Sequence, residues 1–193
     1  MNTNHANLCP TPEWAQVMHT EILPSVTADT DLGEQMIEVG PGPGAATEWL
    51  RHRVTRLVAV EYEKPAADAL AAKLAGTNVE VVHGDATALT FANDSFDSAG
   101  SFTMLHHVPS IALQNRLLSE LLRVLRPGGV LVGSDSLPSD DLHRFHEDDV
   151  YNPIEPGTFY TRLQTIGFER ITISADRGLM FSAYKPEPDT ERD

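Results

Sequence analysis

The stretch Glu38-Val39-Gly40-Pro41-Gly42-Pro43-Gly44-Ala45 decides the fold of this 193-residue chain. The apolar run 36–39 predicts a buried strand that leads into it, and a short helix is predicted over 45–52. Glycines at alternate positions between a strand and a helix let the backbone turn sharply and let a ligand approach closely. The N–H groups that begin the helix can receive an anionic group. An ordinary Gly-Pro turn is the alternative, but the flanking strand and helix favour a ligand loop.

A nicotinamide dinucleotide is one candidate ligand, because the loop also fits the dinucleotide fingerprint with Ala45 in its last position. Glu38 disfavours this ligand, because its carboxylate would lie beside the pyrophosphate. Pro41 and Pro43 remove two backbone donors that a phosphate would use. The chain also leaves little room for a separate substrate domain and has no Tyr-x-x-x-Lys pair. A phosphate loop of the Walker type is excluded, because no Gly-Lys-Ser/Thr follows.

Two further carboxylates are predicted at the ends of neighbouring strands. Glu61 ends the apolar run 57–60 and lies 21 positions after Gly40. Asp85 follows the apolar run 79–82. A carboxylate can accept hydrogen bonds from the vicinal hydroxyls of a ribose or from an exocyclic amino group of adenine. Glu61 could instead be an exposed strand end, and Asp85 could cap a turn. Joined to the glycine loop, they favour a cationic adenosine ligand, and S-adenosylmethionine fits that description.

The rest of the chain alternates short apolar runs with helical segments. Strands are also predicted from 96 and over 130–132, 170–174 and 180–184, and helices from 12 and over 65–75, 113–125 and 159–166. Pro24 is expected to end or kink the first helix. Strands joined by single helices predict a mainly parallel sheet covered on both faces. Only a turn at 176–178 separates the last two strands, which predicts an antiparallel hairpin at one sheet edge.

Five motifs follow one another in an order that resembles the class I S-adenosylmethionine-dependent methyltransferases. The motifs are Glu38-x-Gly-x-Gly-x-Gly, Glu61, Gly84-Asp85-Ala86, Phe96-Asp97 before Leu105-His106-His107-Val108, and Leu125-Arg126-Pro127-Gly128-Gly129. The resemblance runs from about Met36 to Asp135 and continues weakly to Tyr184. It implies an α/β fold of three layers, Rossmann-like, with a seven-stranded sheet in the order 3-2-1-4-5-7-6, strand 7 antiparallel, and an N-terminal helical cap.

The resemblance also implies S-adenosylmethionine as the cofactor and assigns residues to its methionine part. Three glycines would approach that part: Gly40, Gly42 and Gly44. Glu38 would bind its amino group, while Ser101 and Phe102, at the end of the fourth strand, would lie near the methionine and the sulfonium.

The nucleoside part is assigned by the same resemblance. Glu61 would bind the ribose, Tyr62 is counted with it in the cofactor site, and Asp85 with Ala86 would bind the adenine. Glutamate replaces the family's commoner aspartate at positions 38 and 61. This change lengthens both side chains by one methylene and keeps their chemistry.

Domain organisation is expected to be simple, with one methyltransferase domain over 1–193. Its predicted parts are an N-terminal tail and cap helix (1–30), an S-adenosylmethionine-binding core (31–136), an irregular acceptor-pocket insertion (137–153), and a terminal helix and hairpin (154–186).

Composition excludes several classes of partner. The chain has 14 Lys and Arg against 28 Asp and Glu, a formal net charge of −14, so we expect no nucleic acid and no membrane as partners. A single cysteine excludes an internal disulfide framework. The polar residues 1–10 do not resemble a signal peptide, so a cytoplasmic location is expected. No oligomeric state follows from the sequence.

Candidates for catalysis are less specific. His106 and His107 could act as a general base, although support of the pocket wall is the alternative; Asp135, Glu147 and Tyr151 are weaker candidates. The insertion holds His143-x-x-His146-Glu147, which could ligate a metal. A solvated loop that covers the acceptor pocket is favoured instead, so no metal site is expected.

Residues of the insertion and of the first helix complete the expected acceptor pocket. Phe145 and Tyr151 could contact the acceptor, and the helix with Trp14 and Met18 could cover the opposite side, although plain packing of that helix is favoured. The expected function is in-line methyl transfer to an unidentified small molecule. The alternatives are an NAD(P)-dependent oxidoreductase, an inactive methyltransferase-like interaction subunit, and a methyltransferase of nucleic acid or protein.

Overall fold

The strand, glycine loop and helix at the centre of the sequence form as predicted in the computed structural model, which describes residues 8–188. The strands are β1 (Gln35–Val39), β2 (Arg56–Glu61), β3 (Val79–His83), β4 (Phe96–Phe102), β5 (Leu125–Asp135), β6 (Glu169–Ser174) and β7 (Leu179–Tyr184). The α-helices are α1 (Pro12–Val17), α2 (Leu23–Thr27), α3 (Ala45–Leu50), α4 (Lys64–Lys73), α5 (Ile111–Val124), α6 (Asp140–Phe145) and α7 (Pro156–Ile166). A π-helical turn (Met18–Ile22) joins α1 to α2, and a 3₁₀ helix (Leu105–His107) follows β4.

The sheet has the order β3-β2-β1-β4-β5-β7-β6, which confirms the predicted topology. Neighbouring strands from β1 to β5 pair in parallel, whereas β7 is antiparallel to both β5 and β6. Val39, the last residue of β1, lies opposite Val60 on one side and Ser101 on the other. The carboxyl ends of these central strands therefore reach the same edge of the sheet, where their loops meet.

Two apolar layers cover the sheet because successive strand residues point to opposite faces. Ile37 packs in a cluster that includes Leu118 of α5 and Phe159 of α7. Met36 packs on the other face, in a cluster that includes Met18 of the N-terminal helical segment. The helices thus lie on both sides of a central sheet, as the three-layer prediction requires.

Of the two outcomes expected at Pro24, an end or a kink of the helix, the structure excludes the end, because the helical backbone continues past this residue. The chain passes through the π-helical turn and continues as α2 to Thr27. Pro24 lies in the first turn of α2. The change of helix type just before Pro24 lets the backbone accommodate a residue that has no N–H to donate.

The 137–153 insertion is not irregular throughout, which corrects a second prediction. It contains α6, and the Ser139 side chain caps this helix by accepting a hydrogen bond from the Leu142 N–H at 3.2 Å. β5 also begins earlier than predicted, because Leu125 pairs with Phe96 across a bulge in the β4–β5 ladder.

The longest described helix, α5, has 14 residues, whereas a membrane span needs about 20 apolar ones. Within residues 8–188 no helix combines the length and the hydropathy needed to cross a bilayer.

Candidate active site

A cavity of about 440 Å³ opens at the edge of the sheet where the parallel strands end. Its walls come from the loops after β1 to β4, from the N-terminal helical segment and from the insertion. Eight of the ten predicted cofactor-binding residues line it: Glu38, Gly40, Gly42, Glu61, Tyr62, Asp85, Ala86 and Phe102. The structure does not bring the other two, Gly44 and Ser101, to this cavity.

The glycine loop gives one side of the cavity its shape. Gly40 and Gly42 have φ angles of +66° and +52°, a region that L side chains rarely adopt. A Cβ atom at Gly40 would overlap the Met104 side chain, so this glycine allows the loop after β4 to pack closely. A Cβ atom at Gly42 would meet no atom within 4 Å, so the loop backbone here faces open space that a ligand can enter.

Gly44 faces away from the cavity and toward α4. Its φ is +85°, and a Cβ atom there would lie 2.5 Å from Leu70 Cδ1. The third glycine therefore permits close packing between the start of α3 and α4. Its approach to the methionine part of the cofactor stays a prediction.

A Gly44→Ala substitution is expected to lower the free energy of unfolding by about 2 kcal/mol. A positive φ costs an alanine about 1 kcal/mol, and the overlap with Leu70 adds at least about as much. Gly76→Ala is the matched control, because Gly76 has a φ of +80° and open space around the added Cβ. Urea unfolding of both variants measures the difference, and equal losses would contradict the packing role.

Glu61 is buried at the end of β2, and its two carboxylate oxygens hold the neighbouring backbone. Oε2 accepts a hydrogen bond from the Gly42 N–H at 3.0 Å, and Oε1 accepts one from the Glu63 N–H at 2.9 Å. Each carboxylate oxygen has two lone pairs, so Glu61 can accept further hydrogen bonds from a ligand in the cavity. One side chain therefore fixes the glycine loop and faces the cavity that the loop borders.

Glu38 is the most deeply buried carboxylate of the cavity wall, with 2% of the residue exposed. Burial raises the pKa of its carboxyl to about 7; the nearby Thr47 hydroxyl opposes this shift, and the charge of Glu61 adds to it. The Oε2 atom is buried and has no hydrogen-bond partner among the described residues. A buried oxygen that lacks a donor suits a ligand whose ammonium group can supply one.

Asp85 caps a turn, as its alternative interpretation proposed. Its Oδ1 accepts hydrogen bonds from the backbone N–H and the hydroxyl of Thr87, both at 2.8 Å. It nevertheless lines the cavity together with Ala86, so the two interpretations are compatible. Tyr62 is 68% exposed and lies at the rim.

Residues at the end of β4 divide between the cavity and the core. Phe102 lines the cavity, but Ser101 is fully buried behind it. Strand alternation explains the difference, because adjacent residues point to opposite faces. Thr103 and Met104 also line the cavity, although no sequence motif indicated them.

The two histidine candidates lie in different surroundings. His107 lines the cavity. His106 is buried, and its Nδ1 lies 2.6 Å from Asp135 Oδ1. Asp135 is itself buried in this pair, so it does not face the cavity as a base. The structure therefore brings only one of the two predicted bases to the cavity.

The insertion reaches the cavity through residues other than those expected. Asp149 and Val150 line it, whereas Phe145 and Tyr151 do not. Tyr151 instead stacks on His146, with ring centroids 4.2 Å apart.

The N-terminal segment contributes both a wall and packing. Trp14 and Met18 line the cavity, as does Cys9, which no sequence pattern indicated. Met18 also belongs to the apolar cluster on that face of the sheet, so covering the site and packing are compatible roles.

The charges around the cavity have one sign. Five carboxylates line it: Glu38, Glu61, Glu63, Asp85 and Asp149. None of the described lining residues is a lysine or an arginine. This surrounding favours a cation and disfavours a ligand with a pyrophosphate.

The fold and this cavity together define a Rossmann-like α/β protein whose ligand loop follows the first strand. A family profile described as a methyltransferase domain matches residues 37–133. The chain belongs to the class I S-adenosylmethionine-dependent methyltransferase family.

Individual relatives share parts of the chain. A demethylmenaquinone methyltransferase of Clavibacter sepedonicus is 35% identical over 101 residues, covering 52% of this chain and 40% of that protein. A phthiotriol/phenolphthiotriol dimycocerosates methyltransferase of Mycobacterium leprae is 31% identical over 157 residues, covering 79% of this chain and 53% of that protein. The chain thus spans about half the length of these two relatives.

A solved structure shows the same fold over nearly its whole length. The S-adenosylmethionine dependent methyltransferase of Mesorhizobium loti aligns with a TM-score of 0.71 at 19% sequence identity. The alignment covers 91% of this chain and 98% of the other.

Proposed function

We propose that this chain binds S-adenosylmethionine in the described cavity and transfers its methyl group to a small molecule. The observation that carries the proposal is the sign of the charges on the cavity wall, which holds five carboxylates and no lysine or arginine among its described lining residues. The ligand carries its methyl group on a sulfonium sulfur, and the neutral thioether that this sulfur becomes is a good leaving group. The positive charges of its sulfonium and ammonium groups complement the carboxylates. The open space at Gly42 can admit its methionine part.

The residues divide the binding task by position. Glu38 presents a buried acceptor that suits the ammonium group, and Glu61 presents an acceptor beside the glycine loop that suits the ribose hydroxyls. Asp85 and Ala86 lie at the end of the cavity assigned to adenine. These assignments follow the family motifs, and the cavity lining supports them.

In-line displacement requires that the acceptor atom, the methyl carbon and the sulfur be aligned. As the bond from the acceptor to carbon forms, the carbon–sulfur bond breaks and its electron pair stays on sulfur. The main contribution of this chain is positioning, which can supply about 7–11 kcal/mol in favourable cases. An oxygen or nitrogen acceptor that must lose its proton could transfer it to His107, since His107 is the candidate base on the cavity wall.

The acceptor is proposed to be small and partly apolar. Trp14, Met18, Val108 and Leu113 give the cavity an apolar side next to its acidic one. The net charge of −14 disfavours nucleic acid as the acceptor. A single domain and a cytoplasmic location remain predictions from the sequence.

Isothermal titration calorimetry with S-adenosylhomocysteine tests the binding. We expect a dissociation constant on the order of micromolar and no comparable binding of NADH, whose pyrophosphate would face the carboxylates. Turnover is tested with a radiolabelled methyl donor and a panel of acceptors that includes demethylmenaquinone and phthiotriol compounds, the acceptors that name the two relatives. Binding of NADH in place of S-adenosylhomocysteine would contradict the proposal; binding without turnover on any acceptor would support the inactive alternative.

A further inference from the structure

Three histidines from two separate segments meet beside the cavity. His106 and His107 lie in the 3₁₀ helix after β4, and His146 is the C-cap residue that directly follows α6 in the insertion. Their ring centroids are 4.1 Å (His106–His107), 4.9 Å (His106–His146) and 5.3 Å (His107–His146) apart. One ring nitrogen from each lies within 4.8 Å of the others. From this geometry we propose that the three imidazoles form a binding site for a divalent transition metal of the zinc type.

The ligand chemistry favours a metal of this class. Imidazole nitrogen is a ligand for zinc, copper, iron and nickel, and a site with three protein ligands leaves one position open for water or substrate. Tetrahedral coordination at a Zn–N distance of about 2.1 Å requires nitrogen–nitrogen distances of about 3.4 Å. The three nitrogens would therefore close by at most about 1.4 Å from their 4.8 Å limit, which side-chain rotations can supply.

Two of the rings are already held by bonds of the kind that support metal ligands. His106 Nδ1 lies 2.6 Å from the carboxylate of Asp135, and His146 Nδ1 lies 2.6 Å from the backbone oxygen of Leu142. Metal-bound histidines commonly donate their second N–H to a carboxylate or a carbonyl, which fixes the tautomer and the ring orientation. In this arrangement, Nε2 is the atom that each of the two rings would present to a metal.

The charge balance supports the same inference. Asp135 is 3% exposed and already accepts hydrogen bonds from the backbone N–H groups of His106 and Ser136, at 3.3 and 2.7 Å. A dication bound through His106 would add a positive charge on the far side of the ring that this carboxylate contacts. Asp149, which lines the cavity, contributes a second negative charge near His146.

Hydrogen bonds to backbone carbonyls hold the insertion against the loop after β4. The Asn152 N–H donates to the His106 carbonyl at 2.7 Å, and Asn152 Nδ2 donates to the Val108 carbonyl at 3.1 Å. Gln114 Nε2 donates to both the Leu105 and Asn152 carbonyls, at 3.0 and 2.8 Å. The histidines are thus positioned by a hydrogen-bonded frame that includes both segments, which reduces the cost of assembling a site.

The site differs from the metal pattern that the sequence contains. The sequence pattern was His143-x-x-His146-Glu147, but His143 is exposed and is not among the three clustered residues. The expectation of no metal site concerned that stretch, for which a solvated loop was favoured. Because His107 lines the cavity, a metal held by the three histidines would lie at the cavity wall, where an acceptor group could occupy its open position; with the metal bound, His107 would be a ligand and not the general base.

Metal titration of the tag-free full chain tests the proposal. We expect one Zn²⁺ per chain by calorimetry, and visible absorption bands of four-coordinate Co²⁺ when cobalt is used as the probe. His146→Gln and His107→Gln should each weaken Zn²⁺ binding at least about tenfold. His143→Gln is the matched control, since it removes an exposed histidine from the same helix, and it should bind Zn²⁺ like the parent protein.

Three outcomes would overturn the site: no stoichiometric Zn²⁺ binding, unchanged binding by both His146→Gln and His107→Gln, or an equal loss in His143→Gln. Circular dichroism and thermal unfolding show whether each variant is folded. S-adenosylhomocysteine titration of the same proteins without metal separates this inference from the proposed function. A chain that binds the nucleoside but not zinc refutes only the metal site, and the reverse result refutes only the proposed methyl donor.

Discussion

Replacing Glu61 with glutamine is expected to weaken the binding of S-adenosylhomocysteine by about 100-fold. The carboxylate accepts hydrogen bonds from the Gly42 and Glu63 N–H groups, and a glutamine can accept with only one of its two terminal atoms. Its NH₂ group would face an N–H donor, so the glycine loop loses its support on one side. The loss of charge-assisted hydrogen bonds to the loop and to the ribose amounts to about 3 kcal/mol, which corresponds to the stated change. Calorimetry measures it directly.

Glu63→Gln is the control for this experiment. Glu63 lines the same cavity and carries the same charge, but it is exposed, and its backbone rather than its side chain contacts Glu61. We expect the affinity of Glu63→Gln for S-adenosylhomocysteine to change by no more than about threefold, because exposed charges are screened by solvent. Equal losses in the two variants would mean that only the total charge of the cavity matters. Unchanged binding by Glu61→Gln would refute the assignment of the ribose to this residue.

Much of the site could be predicted because local pattern and strand order determine it together. The glycine loop is recognisable from three glycines between an apolar run and a helix start. Because β2 and β3 are parallel, Glu61 at the end of β2 and Asp85 just after β3 must lie at the same edge of the sheet. Residues that are 24 positions apart in the sequence therefore come close together in the fold. This is why the predicted topology is confirmed and most of the predicted ligand residues line one cavity.

Other parts of the site depend on contacts between segments that no local pattern encodes. Gly44 looks like the other loop glycines in sequence, and only the position of Leu70 on α4 assigns it to packing. The His106, His107 and His146 cluster requires the insertion to fold back against the loop after β4. The sequence pattern instead grouped His146 with His143 and Glu147, its neighbours along the chain. Tertiary packing therefore decided these outcomes.

Binding of S-adenosylhomocysteine is expected to weaken by about 100-fold between pH 8 and pH 5 because of Glu38. Burial raises the pKa of this carboxyl to about 7 in the ligand-free protein. The ammonium group of the ligand needs the ionised form, so below pH 7 binding must also remove a proton. The dissociation constant then rises about tenfold per pH unit below 7, as long as the bound carboxylate stays ionised. Calorimetric titrations over this pH range measure the dependence.

The ionisation of Glu38 should also make the stability of the ligand-free protein depend on pH, but in the opposite direction: stability falls as the pH rises. The folded pKa of Glu38, about 7, lies above the ordinary value of 4.5 for a glutamate, so the contribution of this group to stability is fully present below pH 4.5 and is lost as the pH rises through 7. The shift corresponds to about 3 kcal/mol. Glu38→Gln mimics the protonated side chain, so it should flatten both pH profiles and bind the nucleoside weakly at every pH. If Glu38→Gln keeps the pH dependence of the parent protein, another group causes that dependence. If binding to the parent protein does not depend on pH, Glu38 does not contact the ammonium group.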